Sequence, residues 1–353
     1  MEQRREKLIQ RPEYLRELIS FRDTRLIKVV TGIRRCGKST LFDLFQEELR
    51  KSGVTEQQII HINFEDMAYE ALLDYRALYK HVTDRLLPDQ MNYVFLDEIQ
   101  LVDNFEKAVD SLYIKENVDL YITGSNAYLL SGELATLLSG RYVEIKMQPL
   151  SFREYMSAMP DQTEVSRKYA GYLTDSSFPG ALELRDRNKV REYLSGIYHT
   201  IILKDVVARL KINDVLMLES LVRFMFDNIG NIASTKRIAD TMTSDGRAIS
   251  VHTVERYLGA LVDSYILYRV PRYDVKGRQL LRTGDKYYAA DIGLRYFLLG
   301  TKAADRGHIL ENVVYLELLR RGFEVHVGKV GNAEVDFIVH NDSGTAYYQV
   351  ALT

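Results

Sequence analysis

Residues 1–150 predict an α/β fold, a parallel sheet covered by helices. A helical linker, a second small helical module and a short α/β tail are predicted to follow. Three observations predict this. From Arg25 to about Pro149, β-like runs alternate with helical periodicity, the pattern of a parallel sheet with crossover helices. A glycine-containing decapeptide, Thr31 to Thr40, separates the first run from an amphipathic segment. After Pro149 the strand signals stop and return only near Tyr265.

The elements follow in chain order. Residues before Arg25 read as a charged amphipathic helix covering the sheet. Residues 26–30, 58–64, 92–96, 119–123 and 142–146 are the β-like runs, with helical segments between them such as 105–115. Gly32 through Ser39 fit the phosphate-binding pattern G-x4-G-K-[ST] in its required strand–loop–helix context. Gly32, Ile33, Arg34, Arg35, Cys36 and Gly37 would wrap backbone N–H groups around phosphate oxygens. The helix beginning near Lys38, Ser39 and Thr40 favours the anion. Lys38 adds positive charge, and Ser39 would offer a hydroxyl to Mg²⁺.

The run from Asn92 to Leu96 ends in Asp97 and Glu98. Asp97 is placed to hold the Mg²⁺ shell and Glu98 to orient and activate water, which favours hydrolysis over transfer to a metabolite. The next run ends in Thr123-Gly124-Ser125-Asn126. Ligands in such sheets lie beyond the carboxyl ends of the strands, so Ser125 or Asn126 reaches the γ-phosphate or the water. The other reading of this pair is a polar helix cap. Arg141 either stabilises transferring charge, in its own subunit or across a homo-oligomer, or is a surface arginine. Arg34 and Arg35 compete for related roles.

Composition sets outer limits. A chain of 353 residues holds two or three domains. No apolar run approaches the roughly 20 residues that span a bilayer, so no membrane partner is expected. The single cysteine, Cys36, allows no intrachain disulfide and fits a cytoplasmic protein. A formal net charge of -2 means that nucleic acid would have to be met by a local patch.

Residues 151–215 read as a helical lid or linker and 216–290 as a winged helix. Helices are predicted at 221–229, 235–243 (capped by Ser234) and 251–264 (capped by Ser250). Strands at 265–272 and 286–290 would flank a wing carrying Lys276, Gly277, Arg278 and Arg282. A third helix in a major groove would bring His252, Thr253, Arg256 and Tyr257 to DNA, with the wing cations on phosphates. The alternative is a packing or protein-contact module, since the region is only weakly basic and Glu255 and Asp263 oppose phosphate.

In residues 291–353, a helix with Glu311, a strand with Asp336 and a strand with Gln349 resemble the PD-(D/E)xK nuclease core. That resemblance implies Mg²⁺ held by Glu311, Asp336 and Gln349, with an assisting lysine two residues after the last. Ala351 stands at that position, so nuclease activity is expected to be absent or nearly so. Such cores continue with another helix and strand, so a tail ending at Thr353 reads as truncated.

The motifs 32–39, Leu-Asp-Glu-Ile-Gln (96–100), Ile-Thr-Gly-Ser-Asn (122–126) and 138–155 resemble the prokaryotic AAA-type ATPases with a C-terminal domain of unknown function. The archaeal-ATPase group is closely related. The resemblance extends through Glu311-Asn312 and 334–337. It implies a P-loop sheet of the additional-strand type and ATP as the nucleotide. The expectation is therefore a Mg²⁺-dependent ATPase that couples ATP/ADP state to a DNA-contacting winged helix. The alternatives are a nucleotide-gated switch with little turnover and an ATP-regulated nuclease of a defence or mobile-element system.

Overall fold

The computed structural model describes residues 8–130, 138, 140–159, 163–184, 186–274, 277, 279–281, 284–300, 306–330, 333–341 and 344–351. The chain divides into two compact units, Met1–Met147 and Gln148–Thr353.

In the first unit, α1 (Pro12–Ser20) precedes β1 (Ile27–Thr31), which leads into α2 (Lys38–Lys51). Next come β2 (Ile59–Asn63), α3 (Tyr75–Thr83), β3 (Asn92–Asp97), α4 (Phe105–Tyr113), β4 (Val118–Gly124) and β5 (Tyr142–Lys146). The five strands form one parallel sheet in the order β2-β3-β4-β1-β5. β4 therefore lies between β1 and β3, as the additional-strand arrangement requires.

Side-chain alternation gives the sheet two unlike faces. Ile27, Val29, Val94, Leu96, Leu120 and Ile122 join Ala108, Val109 and Leu112 of α4 in an aliphatic core. The other face is aromatic: Phe95 stacks on Tyr121 at 4.8 Å, and Phe42 and Phe45 of α2 pack against this pair. Asp97 and Thr123 continue the aromatic register to the strand ends, so the alternation itself delivers them beside the start of α2. Within the same face Lys28 is fully buried and ion-paired to Asp119.

The second unit opens with α5 (Phe152–Ala158), whose start is fixed by a capping box between Ser151 and Glu154. Then follow α6 (Val165–Thr174), α7 (Arg187–Thr200) running on as a π-helical stretch at Ile201–Ala208, α8 (Val215–Asp227), α9 (Thr235–Ser244) and α10 (Val251–Asp263). Ser234 and Ser250 accept from the N–H groups of Arg237 and Thr253 at 3.2 and 3.1 Å, capping α9 and α10 as the sequence predicts. α8 starts six residues before the predicted 221 because Asp214 caps it, accepting from Met217 N at 2.9 Å.

The predicted strand 265–272 is divided. β6 (Leu267–Val270) and β7 (Arg272–Asp274) flank Pro271, which has no N–H to give a ladder. β7 forms a short hairpin with β8 (Gln279–Leu280), while β6 pairs antiparallel with β9 (Lys286–Ala289). α11 (Ile292–Leu299), α12 (Arg306–Arg320), β10 (Glu324–Val330), β11 (Ala333–Asn341) and β12 (Gly344–Tyr348) complete the described chain. β7 pairs parallel with β10, giving a second sheet β12-β11-β10-β7-β8. Strand pairing thus crosses the line drawn at 290/291 from sequence: part of the segment read as a wing belongs to the sheet of the tail. Among the described residues no helix is long and apolar enough to cross a membrane.

Candidate functional site

The loop between β1 and α2 is shaped by backbone that only a few residues tolerate. Gly32 has φ 146°, and a Cβ there would lie 2.0 Å from the Met147 carbonyl oxygen. Arg35 and Gly37 stand at φ 67° and 106°. Gly37 is the N-cap of α2 and offers no side chain to its first N–H groups, which leaves them for an anion. Gly32→Ala is expected to force the loop away from Met147 and to cost about 1–3 kcal/mol. A thermal-unfolding comparison checks the stability, and nucleotide titration is expected to show lost binding.

Lys38 is buried at the mouth of the loop. Its Nζ donates to the Gly32 carbonyl at 3.0 Å and to Ser125 Oγ at 2.9 Å, and lies 3.5 Å from Glu98 Oε1. Ser125 Oγ in turn donates to Glu98 Oε1. The other Glu98 oxygen accepts from Gln100 Nε2 and lies 3.9 Å from Arg34. Glu98 adopts a left-handed conformation, φ 55°, and its N–H donates to Thr123 Oγ1 at 2.8 Å. Burial pushes its carboxyl up, but Lys38, Ser125, Arg34 and Gln100 together outweigh burial and hold it below the usual carboxylate range. Glu98 is thus a carboxylate at neutral pH.

Asp97 is fully buried. Thr123 Oγ1 donates to its Oδ1, while Oδ2 has no partner. A buried carboxylate oxygen left this way is costly unless a cation or water meets it, so the site fits Mg²⁺. Ser39 is exposed in the first turn of α2. Among the described residues there is no group of three or more His, Cys, Asp or Glu that could hold a metal. Few protein ligands beside substrate phosphate and water is the usual habit of Mg²⁺.

The other expected residues are sorted by the same geometry. Asn126 caps the short turn after β4, its Oδ1 accepting from Leu129 N at 3.2 Å. Arg34 reaches Glu65 at 3.0 Å, and Arg35 is exposed. Ile33 and Cys36 are buried, and burial pushes the Cys36 thiol up. Thr40 lies in the first turn of α2. Arg141 is a correction for action within its own chain. It precedes β5 at the edge where Ile27 pairs Tyr142, whereas the loop leaves β1 where Thr31 pairs Lys146. About 15 Å of strand separates the two, and Arg141 is ion-paired to Asp110 at 2.7 Å. Sequence reasoning missed Thr123, Gln100 and Arg11, whose Nη1 donates to the Cys36 carbonyl at 3.0 Å.

An AAA domain family model matches residues 24–156, and a model described as a domain of unknown function (DUF8612) matches 166–305. An uncharacterised protein of Haemophilus influenzae is 40% identical over 348 residues, 98% of this chain and 87% of that protein. Uncharacterised protein MJ1544 of Methanocaldococcus jannaschii is 30% identical over 338 residues, 90% of this chain and 73% of that protein. The chain belongs to the family of these two proteins, an AAA-domain family. The fold is similar to that of the Walker-type ATPase PABY2304 of Pyrococcus abyssi, with TM-score 0.56 at 15% identity over 83% of this chain and 97% of that one. The AAA domain thus carries a nucleotide-binding P-loop fold.

Beyond the AAA domain, α10 exposes His252 and Arg256, with Thr253 half-buried at its start. Tyr257, expected beside DNA, is instead 4% exposed in the helical core, because it falls on the apolar face with Val254 and Leu261. Lys276, Arg278 and Arg282 lie outside the described residues. In the tail, Glu311 Oε1 is held by Lys286 Nζ at 2.7 Å and by the Tyr288 hydroxyl. Asp336 Oδ2 accepts from Gln349 Nε2 at 2.8 Å and Val350 N at 2.7 Å. The three residues of the nuclease outline are therefore engaged by protein donors or by one another.

Proposed function

We propose that this protein binds ATP with Mg²⁺, hydrolyses it in the cytoplasm, and couples nucleotide state to DNA contact by the second unit. The observation that carries the reading is the joining of Lys38, Ser125 and Glu98 at the carboxyl ends of the sheet, beside a buried Asp97 oxygen without a partner. Lys38 holds the β- and γ-phosphates, Glu98 takes up a proton from water, and Ser125, bonded to both, registers the γ-phosphate. Ser39 and Asp97 hold Mg²⁺, which when bound neutralises charge on the phosphate oxygens. Arg141 serves a neighbouring copy in a homo-oligomer, and residues 151–215 relay the nucleotide state.

DNA contact is proposed for the exposed side of α10. His252, Thr253 and Arg256 face it, and a cleft of about 370 Å³ at the helix start is lined by Lys211, Ser250, Thr253 and Arg256. Binding that neutralises phosphates weakens linearly with the logarithm of salt. Arg256→Ala is expected to reduce that slope by about 1, read from duplex titrations across a salt series. Absence of any salt-dependent duplex affinity removes the DNA reading. The tail is proposed to be catalytically silent, since Ala351 supplies no lysine and Glu311 is already neutralised by Lys286.

The test of the whole is ATPase turnover measured with Mg²⁺ against duplex, single-stranded and branched DNA. Turnover that one DNA class raises supports coupling, and no turnover under any condition overturns hydrolysis. A second reading, a nucleotide-gated switch, is favoured by one observation: both Glu98 oxygens are already engaged, by Ser125 and Gln100. A single burst without further turnover would select it.

A further inference from the structure

Arg11 belongs to no motif, yet only 2% of it is exposed. It stands immediately before α1, which packs on α2. Its guanidinium lies 4.8 Å from the ring centroid of Tyr14, itself buried in α1. From that fixed position Nη1 donates to the carbonyl of Cys36, in the middle of the phosphate loop.

The direction of this bond has a consequence for the loop. The Cys36–Gly37 peptide is trans, as are all others among the described residues. In a planar trans peptide the carbonyl and the N–H point to opposite sides. Drawing the Cys36 oxygen toward Arg11 therefore turns the Gly37 N–H the other way, away from Arg11. Gly37, on one side of this peptide, is left-handed, and so is Arg35 just before Cys36, in the kind of alternation that gathers successive N–H groups around an anion. A peptide that leads into a glycine has wide conformational freedom unless something holds its carbonyl.

We propose that Arg11 is a positioning residue for the polyphosphate: it fixes the Cys36–Gly37 peptide so that the Gly37 N–H faces the phosphates. The inference rests on the nucleotide reading above and adds a residue that touches no ligand. Losing Arg11 costs the order of the loop before binding, so the penalty falls on the phosphate part of any ligand and spares the base.

Calorimetric titration of the full chain with ATP and with inorganic tripolyphosphate tests this. Arg11→Ala is expected to weaken both by about tenfold, and Arg11→Lys, which keeps one donor, by about threefold. Unfolding midpoints of both variants control for folding, and the lysine variant carries the test if the alanine variant does not fold. Weakening of ATP with tripolyphosphate unchanged would mean that Arg11 serves the base or sugar, and overturns the proposal. Unchanged affinity for both overturns it as well. Wild-type protein that binds neither, with Lys38→Ala indistinguishable from it, places the failure in the nucleotide reading itself.

Discussion

Glu98→Gln is expected to keep ATP affinity within about twofold and to lose turnover by about 10²–10⁴-fold, the range of a general base. The substitution preserves shape and removes only charge and basicity. Ser125 and Lys38 can still donate to the amide oxygen that replaces Glu98 Oε1, so the pocket is expected to persist. Lys38→Ala is expected to lose both affinity and turnover, because its ammonium organises Gly32, Ser125 and Glu98 together. Isothermal titration and steady-state phosphate release separate the two outcomes. Unchanged turnover in the Glu98 variant excludes it as the base. The pH dependence has a definite sign. The folded Glu98 carboxyl lies below its ordinary range, so the basic form persists through neutral pH and the acid limb of turnover falls below the usual carboxylate region. The associated stability is present above the unfolded value and is lost as pH falls through the folded one.

The AAA domain was legible because its signals are local. β-like runs alternating with helical periodicity marked the strands, and one glycine pattern marked the turn between β1 and α2. The same alternation predicted that Asp97 and Glu98 end a strand. Arg141 stood between two readings, although the order of the strands carried a signal of its placement. A residue preceding a parallel strand sits at the amino edge of the sheet, so the rule that puts Ser125 beyond the carboxyl end of β4 puts Arg141 at the opposite edge. Pro271 carried a signal of the same kind, since a proline inside a run argues against one continuous strand. Arg11 carried none, because its partner lies 25 residues away and is a backbone carbonyl. Lys28 was hidden for a related reason. Its run reads as an apolar strand, and only the register of β1 with β4 brings Asp119 within reach.

Lys286 gave no signal either, and its removal is expected to have the largest effect on the second unit. Lys286 Nζ lies 2.7 Å from Glu311 and 2.6 Å from Glu334, and its side chain is 4% exposed. Burial pulls the ammonium down, but Glu311 and Glu334 more than compensate and raise it above the ordinary lysine range. That stabilisation is complete below the unfolded lysine value and fades only as pH rises through the folded one, so it is fully present at neutral pH. Lys286→Met leaves Glu311 buried with the Tyr288 hydroxyl as its remaining close donor. Breaking a buried pair from one side typically costs about 3–5 kcal/mol, and local hydrogen exchange at β9 and α12 should rise accordingly. If the cost is the stranded charge, adding Glu311→Leu should restore most of the protection. If the double variant stays as unprotected as the single one, packing of the lysine stem is responsible instead. The same ammonium bears on the tail's chemistry. A carboxylate oxygen that would face a cation in a nuclease-like core is here neutralised by a lysine from β9.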